Sequence, residues 1–288
     1  MIYVQYFVNG LLLGGLYACI AAGFSLVWGV MNIINMMHGA FIVLGAYIAY
    51  FSYVLFGVHP FFSVLSAGLL IGAAGYLIQR GIINRVVGKP VLVTFTLTFG
   101  LEMILNNAML LGFTADYRKV SLAEPMGTLD WSGLFLPLDR VGAMALAIAV
   151  IMAVYLALRR SRIGRAIVAV RFDREAAQLM GVDVAKTYAV TFALGAMMAA
   201  AAGALVSVVF PISPVTGHLF LGKAFVICVL GGVGSIAGAV AGGLALGLLE
   251  SFGGMLFGPE YALTLSFCVL LVLLTFRPRG LMGIRGYE

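Results

Sequence analysis

The chain has 288 residues, of which 63% are apolar and 10% charged, whereas soluble domains run near 45–50% and about 25%. That balance excludes a water-soluble globular protein. The formal charge of +6 does not by itself imply a nucleic-acid partner, because basic residues in the loops of membrane proteins set orientation.

Apolar runs recur at about 10–22, 41–57, 61–79, 91–113, 141–158, 187–210, 223–250 and 261–276, most near the roughly 20 residues that span a bilayer. None alternates with period two, so these are helices and not barrel strands. The predicted fold class is an all-α polytopic membrane protein of about 8 transmembrane helices, one transmembrane domain over 1–288. Met1 to Asn9 carries no Lys or Arg and the first run continues past a short targeting core, so the N-terminus is expected to be retained. Cys19, Cys228 and Cys268 sit in apolar runs without paired spacing, which predicts core packing and neither disulfide nor metal site.

After the first run, Asn32, Asn35 and His38 interrupt the pattern at three-residue spacing before Gly39, predicting a broken or re-entrant segment near 31–40. Arg80, Arg85 and Lys89 follow the third run without an acid. The fourth contains Glu102, one turn from Asn106. The segment 114–139 mixes Asp116, Glu124, Asp130 and Asp139 with Arg118 and Lys119 and reads as a periplasmic loop. The segment 159–186 holds Arg159, Arg160, Arg162, Arg165, Arg171, Arg174 and Lys186, and the tail adds Arg277, Arg279 and Arg285. Three segments thus carry thirteen of the seventeen basic residues, and the positive-inside rule makes them cytoplasmic. Parity then forces 217–255 to be a hairpin, re-entrant or crossing twice, broken at the helix-poor Gly231-Gly232-Val233-Gly234-Ser235. Eight full spans with a translocated N-terminus fit the charges, as does a re-entrant segment near 31–40.

Within 159–186, Ile163, Ala166, Ile167, Val170, Ala176, Leu179 and Met180 follow helical spacing, with charges on the other faces. Asp173 is a candidate N-cap and Gly181 a helix stop. The apolar side fits either an anionic lipid surface or a docked cytoplasmic partner. The two broken regions are pathway candidates, since non-helical backbone at membrane depth is tolerated where it is buried in protein or lines a watery cavity. The pathway set is Asn32, Asn35, His38, Gly39, Glu102, Gly231, Gly232, Gly234 and Ser235, with capping and interhelical hydrogen bonds as the structural alternative for the polar members. Gly195, Ala199 and Gly203, and Gly234, Gly238 and Gly242, recur every four residues, as close helix packing requires. Glu102 and Glu250 are the acids inside apolar runs; Glu250, near a membrane face, is expected to snorkel, and His59 and His218 to be interfacial.

Glu175-Ala176-Ala177-Gln178-Leu179-Met180-Gly181 resembles the cytoplasmic motif by which ABC importer permeases fit an ATPase groove. Together with Asn9-Gly10, Leu13 to Ala18, Asn35, His38-Gly39, Arg162 to Ala166, Leu179 to Val182, Val229 to Ala239 and Arg277 to Leu281, it makes the chain resemble the LivH-type permeases of branched-chain amino acid ABC importers over nearly its whole length. The resemblance implies a second permease subunit, a paralogue rather than a copy, two ATP-binding subunits that use ATP and Mg, and a periplasmic binding protein. It implies a bacterial-type inner membrane, no cofactor in this chain and no catalytic residue. It also implies that Arg162, Gly164, Arg165, Asp173, Glu175, Ala176, Ala177, Leu179 and Gly181 couple the permease to the ATPase. Met36, Met37 and Ala40 stand where such permeases often carry an aromatic and Ala before the His-Gly pair and an acid after it, which leaves urea, amides and small carboxylates beside leucine, isoleucine and valine. The competing class, an ion-coupled secondary transporter, has two isolated acids for support. Gly181→Trp is expected to leave insertion intact and abolish transport.

Overall fold

The computed structural model describes residues 1–121, 127–131, 133–276, 280 and 282. Glu124, Arg277, Pro278, Arg279, Leu281 and Arg285 lie outside them. The helices are α1 (Ile2–Met31), α2 (His38–Phe56), α3 (Pro60–Gly81), α4 (Val91–Phe113), α5 (Leu138–Arg160), α6 (Arg162–Phe172), α7 (Arg174–Leu179), α8 (Val184–Val209), α9 (Gly217–Gly231), α10 (Ile236–Phe257) and α11 (Ala262–Phe276). Among the described residues, eight segments are long and apolar enough to cross a membrane. The run 223–250 holds parts of two of them, α9 and α10, joined at the glycine-rich break. The segment 114–139 is not wholly irregular: β1 (Thr128–Trp131) and β2 (Leu134–Pro137) form an antiparallel hairpin.

Contacts at the helix ends sort the loops by side. Gln5 at the start of α1 exchanges two hydrogen bonds with the Phe135 backbone, at 2.7 and 2.9 Å, so the N-terminus lies with the 114–139 segment. On the other side the basic segments converge. Asn84 donates to the Ala185 carbonyl at 3.1 Å, Arg171 packs on Gly234, and the Met282 amide donates to the Gly231 carbonyl at 3.0 Å. One face therefore gathers the positive charge, as orientation by Lys and Arg requires.

The core is built on α1 and α8, the most buried helices, while α4 and α5 keep mostly exposed apolar faces. Apolar side chains gain nothing by leaving lipid for each other, so close approach of small residues drives the packing. Gly10 and Gly14 of α1 lie against Gly243, Leu244, Gly247 and Leu248 of α10; Gly195 of α8 faces Gly23 of α1; Gly238 and Gly242 press on the end of α9. Gly203 of α8 lies on the Ile42 backbone of α2, where a Cβ would fall 2.7 Å from the carbonyl carbon. Gly203→Val is therefore expected to lose roughly 1–3 kcal/mol to overpacking. Gly100→Ala, whose Cβ would meet nothing within 4 Å, should be near neutral. Thermal unfolding of the two variants in mild detergent checks the contrast, and equal stabilities would refute it.

Candidate functional site

Polar side chains in hydrocarbon must find partners inside the protein. On α4, Thr94, Thr98, Glu102 and Asn106 recur every four residues and so share one face. Thr94, Thr98 and Glu102 are at most 2% exposed, whereas Leu92, Ile104 and Leu111 on the same helix are exposed. This stripe is the line along which α4 meets the body.

The first break meets the stripe at Thr98. Its hydroxyl lies 3.1 Å from the Ile34 and Phe95 carbonyls and accepts from the Met36 amide at 3.4 Å. Asn35 Oδ1 accepts from the Met37 amide at 3.1 Å. His38 Nε2 lies 2.9 Å from the Ile20 carbonyl, with its ring edge-on to Phe24. Ile20 precedes the end of α1 by eleven residues, about 16 Å along the helix, so residues 32–37 turn back alongside α1 and the His38 side chain reaches well inside its span. Gly39 then packs on Gly217, bringing the start of α2 onto the start of α9.

Higher on the stripe, Asn106 Nδ2 donates to Glu102 Oε1, and His218 of α9 stands over both, Nδ1 3.5 Å from Glu102 Oε1 and Nε2 3.5 Å from Asn106 Nδ2. His218 is thus not simply interfacial: it faces an intramembrane acid with half of its side chain exposed.

The second break lies apart from this cluster, at the basic face. Gly232 and Gly234 have φ of +102° and +79°, a region open to glycine and strained for other residues. The Gly234 amide donates to Ser25 Oγ at 3.0 Å, and Ser235 Oγ caps α10 by accepting from the Gly238 amide at 3.0 Å. Gly231 faces Gly238. Gly234 and Ser235 line a 490 Å³ cavity with Arg159, Arg165 and Arg171. A second cavity of 330 Å³ is lined by Asn32, Lys89, Thr94, Arg171 and Arg174. Arg171 borders both. Asn35, His38 and Glu102 line neither.

The segment after α5 divides in two. Ser161 caps α6, with Gly164 against the Leu158 backbone; Asp173 caps α7 by accepting from the Ala176 amide at 2.9 Å; Asp183 caps α8 by accepting from the Lys186 amide at 2.9 Å. Arg162, Arg165 and Glu175 are exposed. The apolar side of this segment does not form one buried face. Ile167, Val170 and Ala177 are buried, but Leu179 and Met180, just before Gly181, are 88% and 86% exposed. The capped turn at Asp173 rotates α7 relative to α6 and turns these two side chains outward. The Arg174 guanidinium rests on the Tyr188 ring and beside Gly88, tying α7 to α8 and to the 82–90 loop.

Glu250 does not snorkel. It is 8% exposed, accepts from Tyr17 Oη at 2.7 Å and pairs with Lys223 at 2.8 Å, with Ser266 Oγ on its other oxygen at 3.2 Å. The α9–α10 hairpin folds Lys223 beside it, and a counter-charge within reach is cheaper than a path to water. Scanning for apolar runs missed this lysine, although it stands alone among the bases in lying inside such a run. It placed Glu102 one turn from Asn106 but missed that Thr98 and Thr94 continue the same spacing, which is plain in the sequence once sought.

A profile described as "Branched-chain amino acid transport system / permease component" matches residues 6–274. The high-affinity branched-chain amino acid transport system permease protein BraD of Pseudomonas aeruginosa is 33% identical over 294 residues, covering 98% of this chain and 96% of BraD. LivH of Escherichia coli K12, described in the same terms, is 31% identical over 297 residues, with the same coverage of each chain. A probable branched-chain amino acid transport permease protein LivH of Methanocaldococcus jannaschii is 27% identical over 295 residues, covering 96% of this chain and 91% of its own.

Proposed function

The chain belongs to the family of branched-chain amino acid transport system permease components, and from that premise we propose that it is the membrane-spanning subunit of an ATP-driven importer for small zwitterionic or neutral solutes. Branched-chain amino acids come first among these, carried from periplasm to cytoplasm by alternating access. Urea and amides come next, and small carboxylates stand outside that class as the anionic remainder of the set. The ATP-binding subunits, a paralogous second permease and a binding protein complete the assembly, and ATP and Mg belong to the partners.

The observation that carries the reading is the α7 platform on the basic face. Leu179 and Met180 project from a short helix whose ends are fixed by Asp173 and by Gly181, at φ +84°. Exposed apolar side chains on a braced helix, flanked by charge, suit a protein groove better than they suit water. A push on α7 reaches α8 through Arg174 and Tyr188. Through the linked α6 it reaches Arg171, which borders both cavities and both breaks. No covalent step falls to this chain; its residues bind, shield and move.

Extracting the tagged chain from its native membrane in mild detergent, and identifying what copurifies by mass spectrometry, tests the assembly. ATP-binding subunits and a second permease are expected. The chain alone, with uptake that survives ATP depletion, would instead indicate the ion-coupled class.

A further inference from the structure

The cluster at the upper end of the α4 stripe has acceptors to spare. Glu102 Oε1 is taken by Asn106 Nδ2 and approached by His218, but Glu102 Oε2 and Asn106 Oδ1 are buried with no partner among the described residues. Glu102 is 2% exposed, and buried acceptors in hydrocarbon are rarely left open. What would complete the cluster is a compact cation with several N–H donors on one atom. An alkylammonium is such a group. A carboxylate brings no donor and meets the charge of Glu102, and a neutral amide brings donors without the charge.

His218 does not fill the role permanently. It approaches Glu102 at 3.5 Å, beyond the 2.7–2.9 Å of a tight charged hydrogen bond, and its side chain is 55% exposed. Its neighbour Gly217 is seated on Gly39, at the joint between α2 and α9, so motion of the first break, which ends at His38, displaces the ring.

We propose that Glu102 and Asn106 form a subsite for the ammonium group of the transported solute, and that His218 occupies it between passages. The proposal rests on the permease reading and narrows its substrate class: the cargo carries a cationic amine, which removes urea, simple amides and plain carboxylates from the open set. His218 is a positioning residue, exchanging with the solute for one carboxylate.

The copurified permease complex in lipid nanodiscs, without binding protein, is incubated with a diazirine-bearing photoreactive leucine, and the labelled peptides are mapped. Label is expected on the peptides that hold Glu102 or His218. Excess leucine or 3-methylbutylamine, at about ten times its Kd or more, should reduce it roughly tenfold by occupying the site, and 4-methylpentanoate should leave it nearly unchanged. Glu102→Gln should lose roughly tenfold or more of the label, as loss of a charged hydrogen bond would. His218→Ala, which vacates the carboxylate without removing it, should label at least as well as the parent, and this arm decides the matter if Glu102→Gln does not assemble. Persistent label in Glu102→Gln, loss in His218→Ala, or competition by 4-methylpentanoate equal to that of the amine would overturn the subsite. ATP-driven leucine uptake by the parent complex with its binding protein is measured in parallel. Absence of that uptake would count against the permease reading, whereas normal uptake with label elsewhere would count against the subsite alone.

Discussion

Lys223→Met is expected to destabilise the protein severely, and Lys223→Met combined with Glu250→Gln to recover most of the loss. The single change leaves Glu250 buried, still facing Tyr17 Oη and Ser266 Oγ but without its cation. Breaking a buried pair from one side costs about 3–5 kcal/mol, while replacing both charges is often close to neutral. The pair joins α9 to α10, and through Tyr17 and Ser266 it also binds α1 and α11, so the loss should be felt across four helices. Thermal unfolding in mild detergent of the parent, both single variants and the double variant forms a cycle whose coupling term isolates the pair. A double variant no more stable than Lys223→Met would show that the lysine matters for something other than neutralising Glu250.

The second large effect concerns transport and leaves stability alone. Leu179→Asp with Met180→Asp is expected to abolish ATP-driven uptake and retention of the ATP-binding subunits, with insertion unchanged. Both side chains stand almost wholly outside the fold, and substitutions at such positions usually stay within about 0.5 kcal/mol. Gly181→Trp should give the same phenotype by another route. Nothing lies within 4 Å of a Cβ at Gly181, but its φ of +84° costs a side-chain-bearing residue about 1–2 kcal/mol, which distorts the end of α7. Copurification and uptake measured on the same preparations check both, and wild-type uptake in both would remove α7 from the coupling path.

The helical class was legible because hydrocarbon admits few alternatives: long apolar runs without alternation become helices. The convergence of 80–89 and 159–186 on one face was legible for a similar reason, since charge placement alone decides it. Asp173 and Gly181 could be read as the ends of a helix because capping is local. What escaped depended on partners distant in sequence. Lys223 and Glu250 are 27 residues apart, Asn106 and His218 112 apart, and Tyr17 and Glu250 233 apart. A single sequence shows each residue without its complement, so Glu250 read as a snorkelling acid and His218 as an interfacial one. The outward turn of Leu179 and Met180 was hidden differently: helical spacing continues across Phe172 and Asp173, but the cap at Asp173 changes the helix axis and with it which side is buried.

The seam between α1 and α10 carries a consequence for how the protein is made. The glycines at 10 and 14 leave the ribosome more than two hundred residues ahead of their counterparts at 243 and 247. At typical synthesis rates of about 5–20 residues per second, α1 spends ten seconds or more in the bilayer or its insertion machinery before the surface shaped to receive it exists. During that interval its small-residue face is open to any helix that can approach closely. Correct assembly therefore depends on nascent α1 being held apart from strangers until α10 has been made. Shortening the chain before α10 should leave a first helix that inserts but never finds its place.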